Sequence, residues 1–378
     1  MPYDVTETEL EDRQVTQVFC RPNAIGVRRS GRPTCRAALA IGALLTWACP
    51  FFMAPPETCA QGLSPQSPEV KAAVARAVKF LAAEPADSES LGGRCLQALA
   101  LVKADQPANH PTVEAAVKLA VKAAGEQNPS VVSDNYQVAL PIILLATVDP
   151  EKYQNEISKL LAMLLAQQKP NGSWGYSGSN LGDVPRTQYA VLALWEASHA
   201  EVESPLAAWE GVTNFLLRCQ DPSGGYGYQA RDPGNDTLVR QSDITPTRTA
   251  AGVGSLYICQ DYLRLGGAGA SGSDKSAALR RVEDPNKKEK PGPRTQNIST
   301  ARLDDTQKRA DAWFESNYNP KPDSEPHGYT CYYLYALERY ASFREIIRGG
   351  SNSQSADWYE DGARYLLSAQ LEDGSWKG

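Results

Sequence analysis

Residues 168–174 read QKPNGSW, and the same frame returns twice, as QDPSGGY at 220–226 and as QLEDGSW at 370–376. Each copy begins with glutamine, has glycine at its fifth position, ends with an aromatic residue and follows an apolar run with helical spacing. The three glycines, at 172, 224 and 374, are 52 and 150 positions apart. A helix, a glycine turn and an aromatic residue that recur at a period of roughly 50 residues indicate a helical repeat array.

The chain has 378 residues and 42% hydrophobic content, which is enough for a large core. A net charge of −6 provides no basic field to neutralise phosphates, so we expect no nucleic-acid partner. No Cys-x2-Cys pair occurs, which disfavours a zinc knuckle or a redox motif. Outside the N-terminal segment the cysteines sit singly on apolar helical runs, where we expect buried free thiols: Cys95, Cys219, Cys259 and Cys331.

The N-terminal segment has the order of an export signal. Residues 1–36 form a polar extension that is basic toward its end, and residues 37–60 contain an apolar run followed by small residues. This order predicts a signal peptide and an exported protein, periplasmic or extracellular. The alternative is an anchor, in which the same apolar segment associates with a membrane.

Residues 65–378 have an all-α pattern. Apolar spacing predicts five helical hairpins and one half hairpin, with helices at 70–83, 88–104, 113–124, 135–147, 151–168, 186–198, 205–219, 246–265, 301–318, 329–344 and 355–370. An odd helix leaves an apolar face open, so we expect a chain truncated at its C-terminus. Residues 266–300 hold almost no large apolar side chain and are predicted to be a disordered insertion.

The recurring turn has a structural explanation. A glutamine at a helix end can bond unpaired backbone groups, glycine permits a tight turn, and the aromatic ring can fold back on the helix. We therefore interpret the turn as a structural link between neighbouring hairpins. The residues of the three links are Gln168, Gly172, Trp174, Gln220, Gly224, Tyr226, Gln370, Gly374 and Trp376.

The three segments resemble the QW repeats of squalene and oxidosqualene cyclases, grouped as the prenyltransferase and squalene oxidase repeat family. Residues 187–195, TQYAVLALW, also resemble the helix that follows a QW turn. The resemblance implies an (α/α) toroid, in which inner helices surround a central cavity and outer helices surround the inner ones. It does not fix an activity, because unrelated functions share this barrel.

The motifs that carry chemistry in that family are not found. The chain lacks the Asp-x-Asp-Asp acid of squalene–hopene-type cyclases, and Asp304-Asp305 opens a predicted helix, where acidic residues suit the N-terminus. The metal-binding Asp-Asp-x-x-Asp string is also missing, since position 308 is lysine. We therefore assign no catalytic residue.

Zinc is the cofactor that the resemblance to protein prenyltransferases suggests. Asp323, His327 and Cys331 would be its ligands, and residues four apart can share a metal. However, the Asp-x-Cys spacing of that family is missing. We expect no metal and no other cofactor.

The starts of the predicted inner helices carry the candidate binding residues. Helix N-termini at one end of a toroid converge, so polar groups and tyrosines there would surround the mouth of a cavity. The candidates are Asp183, Arg186, Gln188, Asp243, Thr247, Tyr329, Tyr332 and Tyr333, with Asp134, Asn135 and Tyr136 nearby. The alternative for each is helix capping or core packing.

The favoured hypothesis is an exported repeat protein that binds an apolar small molecule or a protein partner without classical cyclase chemistry. Two alternatives stay open. One is an enzyme, a terpene cyclase or a prenyltransferase, with non-standard or missing catalytic residues. The other is a scaffold that acts only through its surface.

Overall fold

The computed structural model describes residues 62–83, 90–126, 134–266, 292–319, 330–348 and 353–377. The eleven helices described there are α1 (Pro68–Ala83), α2 (Leu91–Lys103), α3 (Pro111–Gly125), α4 (Asn135–Val148), α5 (Gln154–Ala166), α6 (Val184–His199), α7 (Leu206–Arg218), α8 (Pro246–Leu263), α9 (Thr300–Asn317), α10 (Thr330–Arg348) and α11 (Ser353–Ala369). Two short strands, β1 (Gly182–Asp183) and β2 (Gln229–Ala230), pair antiparallel. The predicted all-α fold class is confirmed.

Helix starts follow from capping residues in the sequence. The Ser90 hydroxyl accepts from the Gly93 N–H at α2, and the Asp183 carboxylate accepts from the Arg186 N–H at α6. At α8 the Thr245 hydroxyl accepts from the Arg248 N–H. These bonds satisfy backbone donors that have no partner within the helix, so the chain enters each helix at a fixed residue.

The helices form two concentric series. The even-numbered helices pack one on the next, α2 on α4, α4 on α6, α6 on α8 and α8 on α10. The odd-numbered helices lie outside them, and each packs on an inner neighbour. Helices α4 and α8 are buried on nearly all sides, as expected of inner helices, whereas α5 buries one apolar face through Ile157, Leu160, Leu161 and Leu164.

Each recurring turn joins its own outer helix to the next one. The side-chain amide of Gln168 donates to Gly172 O and to Ala208 O of α7, both at 2.9 Å. Gln220 makes the equivalent bonds to Gly224 O and Thr306 O of α9. Gln370 makes them to Gly374 O and to Ala73 O of α1. The last outer helix is thus fastened to the first, and the outer series closes into a ring.

The aromatic residue and the glycine complete the turn. The Trp174 indole donates to Leu164 O at 2.8 Å, and the Trp376 indole donates to Leu366 O at 2.8 Å. Gly172 has a φ of 92°, and a side chain there would overlap the backbone of Gly211 on α7. Glycine is required because the next outer helix touches the turn's backbone.

The segment before α9 differs from the predicted insertion. Residues 267–291 lie outside the described residues, but 292–299 are packed on α7 and α8. The N–H of Arg294 donates to Leu263 O at 3.0 Å, and Thr295 and Asn297 both donate to Glu210. Ile298 is buried. Within the predicted insertion, residues 292–299 are therefore packed on the helices, held by one isoleucine and several polar contacts.

The predicted extension at 1–36 and signal-like segment at 37–60 also lie outside the described residues. Among the helices that are described, none combines the length and the apolar character needed to cross a membrane.

Candidate functional site

Arg186, in the first turn of α6, joins the starts of two inner helices. Its guanidinium lies 2.8 Å from the Asp134 carboxylate, which caps α4. The Asn135 amide donates back to Arg186 O at 2.7 Å. Burial alone would lower the pKa of Arg186, but Tyr136, Asp134 and Asp183 raise it above its usual value. The buried guanidinium therefore stays charged.

Tyrosine rings surround this guanidinium. Its central carbon lies 4.8 Å from the centre of the Tyr136 ring and 4.1 Å from that of Tyr176. The hydroxyls of Tyr176 and Tyr228 are 2.6 Å apart, and the Arg248 guanidinium lies 5.1 Å from the Tyr228 ring. Tyr176 lies in the loop before α6, and Tyr228 lies in the loop before α8. The β1–β2 pair holds these two loops together, so the contacts run from α4 through α6 to α8.

Four tyrosines, Tyr136, Tyr189, Tyr332 and Tyr335, form what we call the tyrosine cluster. Tyr189 stacks on Tyr335 with ring centres 5.5 Å apart and on Tyr332 at 6.3 Å. Tyr136 meets Tyr189 edge-on at 5.1 Å. Helix α8 lies between α6 and α10 in the inner series, so side chains of α6 and α10 meet across the ring interior. The interior at this level is aromatic.

Gln188 lies beside the tyrosine cluster and is 0% exposed. Its carbonyl oxygen accepts from the Tyr332 hydroxyl at 2.8 Å, which fixes the amide. Among the described residues, neither its Nε2 nor the Nε of Arg186 has a hydrogen-bond partner, and both atoms are buried. An unsatisfied buried donor costs about 1–3 kcal/mol. A hydrogen-bond acceptor placed beside Nε2 would remove this cost.

Only some of the predicted binding residues meet here. Asp183, Arg186, Gln188 and Tyr332 lie at this end of α6 and α10, with Asp183 also acting as the α6 cap.

Three of the remaining candidates lie elsewhere. Asp243 is exposed, and its carbonyl accepts from Arg248. Thr247 is buried in the first turn of α8, whose cap is Thr245. Tyr333 is fully buried and its hydroxyl donates to Asn319 O, while Tyr329 lies outside the described residues.

Sequence reasoning missed Tyr189 and Tyr335. Tyr189 directly follows Gln188, and Tyr335 lies three positions after Tyr332. The spacing of three would have placed Tyr335 on the same helix face as Tyr332. Tyr189 carried no such signal, because it reads as a core residue of an apolar helix.

A second group of charged side chains is found on three of the inner helices. Arg339 is 2.8 Å from Glu338, and His199 is 3.7 Å from Glu196. Burial lowers the pKa of Lys103, an effect that Glu196 partly opposes. This group joins α2, α6 and α10, and its opposite charges largely neutralise one another.

The described residues contain no group of three or more His, Cys, Asp or Glu side chains placed to hold a metal ion. Of the three zinc candidates that the resemblance suggested, Asp323 and His327 lie outside these residues, and Cys331 is half-buried. Burial raises the pKa of Cys331 to about 11.

No protein-family model matches the chain, and no curated protein sequence matches it. Among solved structures, it is similar to a type II terpene cyclase from Scytonema, solved in complex with geranylgeranyl dihydroxybenzoate as substrate. The identity is 14%, the match covers 69% of this chain and 80% of that chain, and the TM-score is 0.27. A TM-score this low supports no conclusion, so the toroid rests on the helix contacts given above.

Proposed function

We propose that this protein is an exported helical toroid that binds an apolar ligand carrying a hydrogen-bond acceptor. The ligand's apolar part would lie against the tyrosine cluster, and its acceptor would receive the Nε2 donor of Gln188. The observation that carries the proposal is that donor, which is fully buried and has no partner in the part of the chain that the structure describes. Binding sites of this kind combine aromatic walls with a few fixed polar groups.

The local charge favours a neutral acceptor over an anion. Arg186 is a buried cation of this site, and the carboxylates of Asp134 and Asp183 already accompany it. A carboxylate or phosphate would add a third negative charge close to these two. A hydroxyl, ether or carbonyl group adds none.

An enzyme of the cyclase or prenyltransferase class is the second candidate. The faces of Tyr189, Tyr332 and Tyr335 would stabilise a carbocation, which is the feature that favours this alternative. Such chemistry also needs an acid or a diphosphate-binding metal, and the chain has neither Asp-x-Asp-Asp nor Asp-Asp-x-x-Asp. Ligand binding without turnover is therefore the simpler function.

Paired probes test the proposal, because farnesol and farnesene share a hydrocarbon chain and differ in the hydroxyl. By isothermal titration, we expect farnesol to bind about two- to tenfold more tightly, the effect of one hydrogen bond. Gln188→Met keeps the side-chain length and removes the donor, so it should abolish this difference. Gln66→Met, the same change at an exposed position, should preserve it.

Two results would contradict the proposal. If neither probe binds, the tyrosine cluster is only a packed interior. If the preference for farnesol survives in Gln188→Met, the acceptor binds elsewhere. Release of diphosphate from farnesyl diphosphate would instead favour the enzyme.

A further inference from the structure

Arg339 of α10 carries another buried donor. Its guanidinium lies 2.8 Å from the Glu338 carboxylate, and its central carbon lies 5.2 Å from the centre of the Tyr335 ring. Its Nε atom is buried, and no described residue accepts a hydrogen bond from it. An unsatisfied buried donor costs about 1–3 kcal/mol. Arg339 therefore shares the feature that makes Gln188 a candidate binding residue.

Helix geometry places Arg339 on the same face of α10 as Tyr332. The two residues are seven positions apart, which is almost two turns of helix. Tyr332 bonds Gln188 of α6, and Tyr335 stacks on Tyr189 of the same helix. This face of α10 therefore points toward α6. At 1.5 Å per residue, Arg339 lies about 10 Å further along α10 than the level at which Gln188 is bonded.

The stretch between these two levels is aromatic. Tyr335 lies three positions after Tyr332 and four before Arg339. Its ring stacks on that of Tyr189 with the ring centres 5.5 Å apart. Beyond this ring, 18% of the Arg339 side chain stays accessible. A ligand that reaches both donors would therefore lie with its middle along aromatic rings and with a polar group at each end.

The charges near Arg339 favour a neutral group. Burial alone would lower the pKa of Arg339, but Glu338, Tyr335 and Glu196 raise it above its usual value, so the guanidinium stays charged. Lys103 of α2 interacts with the same two glutamates. These two cations and two carboxylates together carry no net charge, so an anion gains little attraction here. A hydroxyl, ether or carbonyl group can accept the Nε hydrogen without adding a charge.

We propose that the ligand of this site has two neutral acceptors, one at each end of an apolar middle, and that the Nε of Arg339 binds the second. The inference rests on the proposed function, because the first acceptor is the one that Gln188 binds. Ligands of this class are chains or fused rings oxygenated at both ends, with the two oxygens about 10 Å apart. A ligand with one polar end leaves the Arg339 donor unsatisfied, so the second donor selects for the second oxygen.

Two isomeric diols test the second acceptor. Octane-1,8-diol has a hydroxyl at each end, whereas octane-1,2-diol has the same composition and both hydroxyls at one end. By isothermal titration into the full chain, we expect the 1,8 isomer to bind about two- to tenfold more tightly, the effect of one hydrogen bond. A site with one polar end would not show this preference, because the 1,8 isomer would bury an unpaired hydroxyl there.

Removing the Arg339 donor should abolish the preference. Arg339→Met is combined with Glu338→Gln, so that neither partner of the ion pair is left as an unpaired charge. Lys118→Met with Glu114→Gln makes the matching change in an exposed ion pair of α3 and should preserve the preference. Octan-1-ol should bind both double variants as tightly as it binds the unmodified chain, which checks that the rest of the site is intact.

The outcomes separate this inference from the proposed function, because octan-1-ol reports on the first acceptor alone. If Gln188→Met weakens octan-1-ol binding but the two diols bind equally, or the 1,2 isomer binds better, the proposed function stands and the second acceptor is wrong. A preference for the 1,8 isomer that survives the loss of Arg339 also overturns the inference. If octan-1-ol does not bind, or binds Gln188→Met equally well, both proposals fail.

Discussion

Gly172 and Gly178 both have a positive φ, of 92° and 76°, but their surroundings differ. A side chain at 172 would overlap the Gly211 backbone, whereas nothing lies within 4 Å of one at 178. Gly172→Ala should therefore combine backbone strain of about 1–2 kcal/mol with about 1–3 kcal/mol of steric overlap. We expect urea denaturation to show a loss of about 2–5 kcal/mol.

Gly178→Ala is the matched control, since it carries the backbone strain alone. It should lower the free energy of unfolding by about 1–2 kcal/mol. Equal losses in the two variants would show that α7 can shift away from the turn, and that the contact at Gly211 does not fix the spacing of the outer helices.

At the scale of elements, Arg218 connects the end of α7 to two turns. Its guanidinium makes two 2.7 Å bonds to Asp232 and one bond to Asn171 O in the first turn. Burial alone would raise the pKa of Asp232, but the bonds from Arg218 and from the Gly234 N–H hold it below its usual value. The ion pair thus favours the folded state when Asp232 is ionised.

Because the folded pKa is depressed, this stabilisation is present above the unfolded pKa of about 3.9 and is lost as the pH falls through the folded value. Asp232→Asn should cost about 1.5–3 kcal/mol at pH 7. The cost should shrink below pH 4, where the unmodified protein also loses the charge.

The matched control is Glu114→Gln, which removes an exposed carboxylate paired with Lys118 on α3. It should leave the free energy of unfolding unchanged at neutral pH. Urea denaturation of both variants across pH 3–7 gives the comparison. A cost for Asp232→Asn that does not depend on pH would show that packing, and not charge, holds this segment.

The helices were predictable from sequence because their apolar spacing and caps are local. Every predicted helix of the array is present, and its ends differ by a few residues at most. The meeting of Tyr189 with Tyr335 was not predictable, because it depends on which faces of α6 and α10 point across the ring. The two-residue strands were missed as well, since Gly182 and Ala230 pair only after the turns have formed.

At the scale of the molecule, the bond from Gln370 to α1 joins residues 297 positions apart. Arg76 of α1 also donates to the Gln370 carbonyl oxygen, as Arg309 of α9 does to Gln220. Helices α1 and α11 bury few side chains. Ala73 is the one buried residue of α1, and Tyr365 and Leu366 of α11 are partly exposed. The folded state of α1 and α11 should therefore depend on the bonds that Gln370 makes between them.

Gln370→Ala should let both terminal helices open together. Losing the bonds at a half-buried site should speed amide hydrogen exchange in α1 and α11 about tenfold, while α4 and α8 stay protected. Gln168→Ala removes the same bonds within the array and should affect α5 and α7 instead. Mass spectrometry of exchanged peptides separates these regions. Faster exchange in α1 alone would mean that α11 is held by its packing on α10, and that the ring closure stabilises one end only.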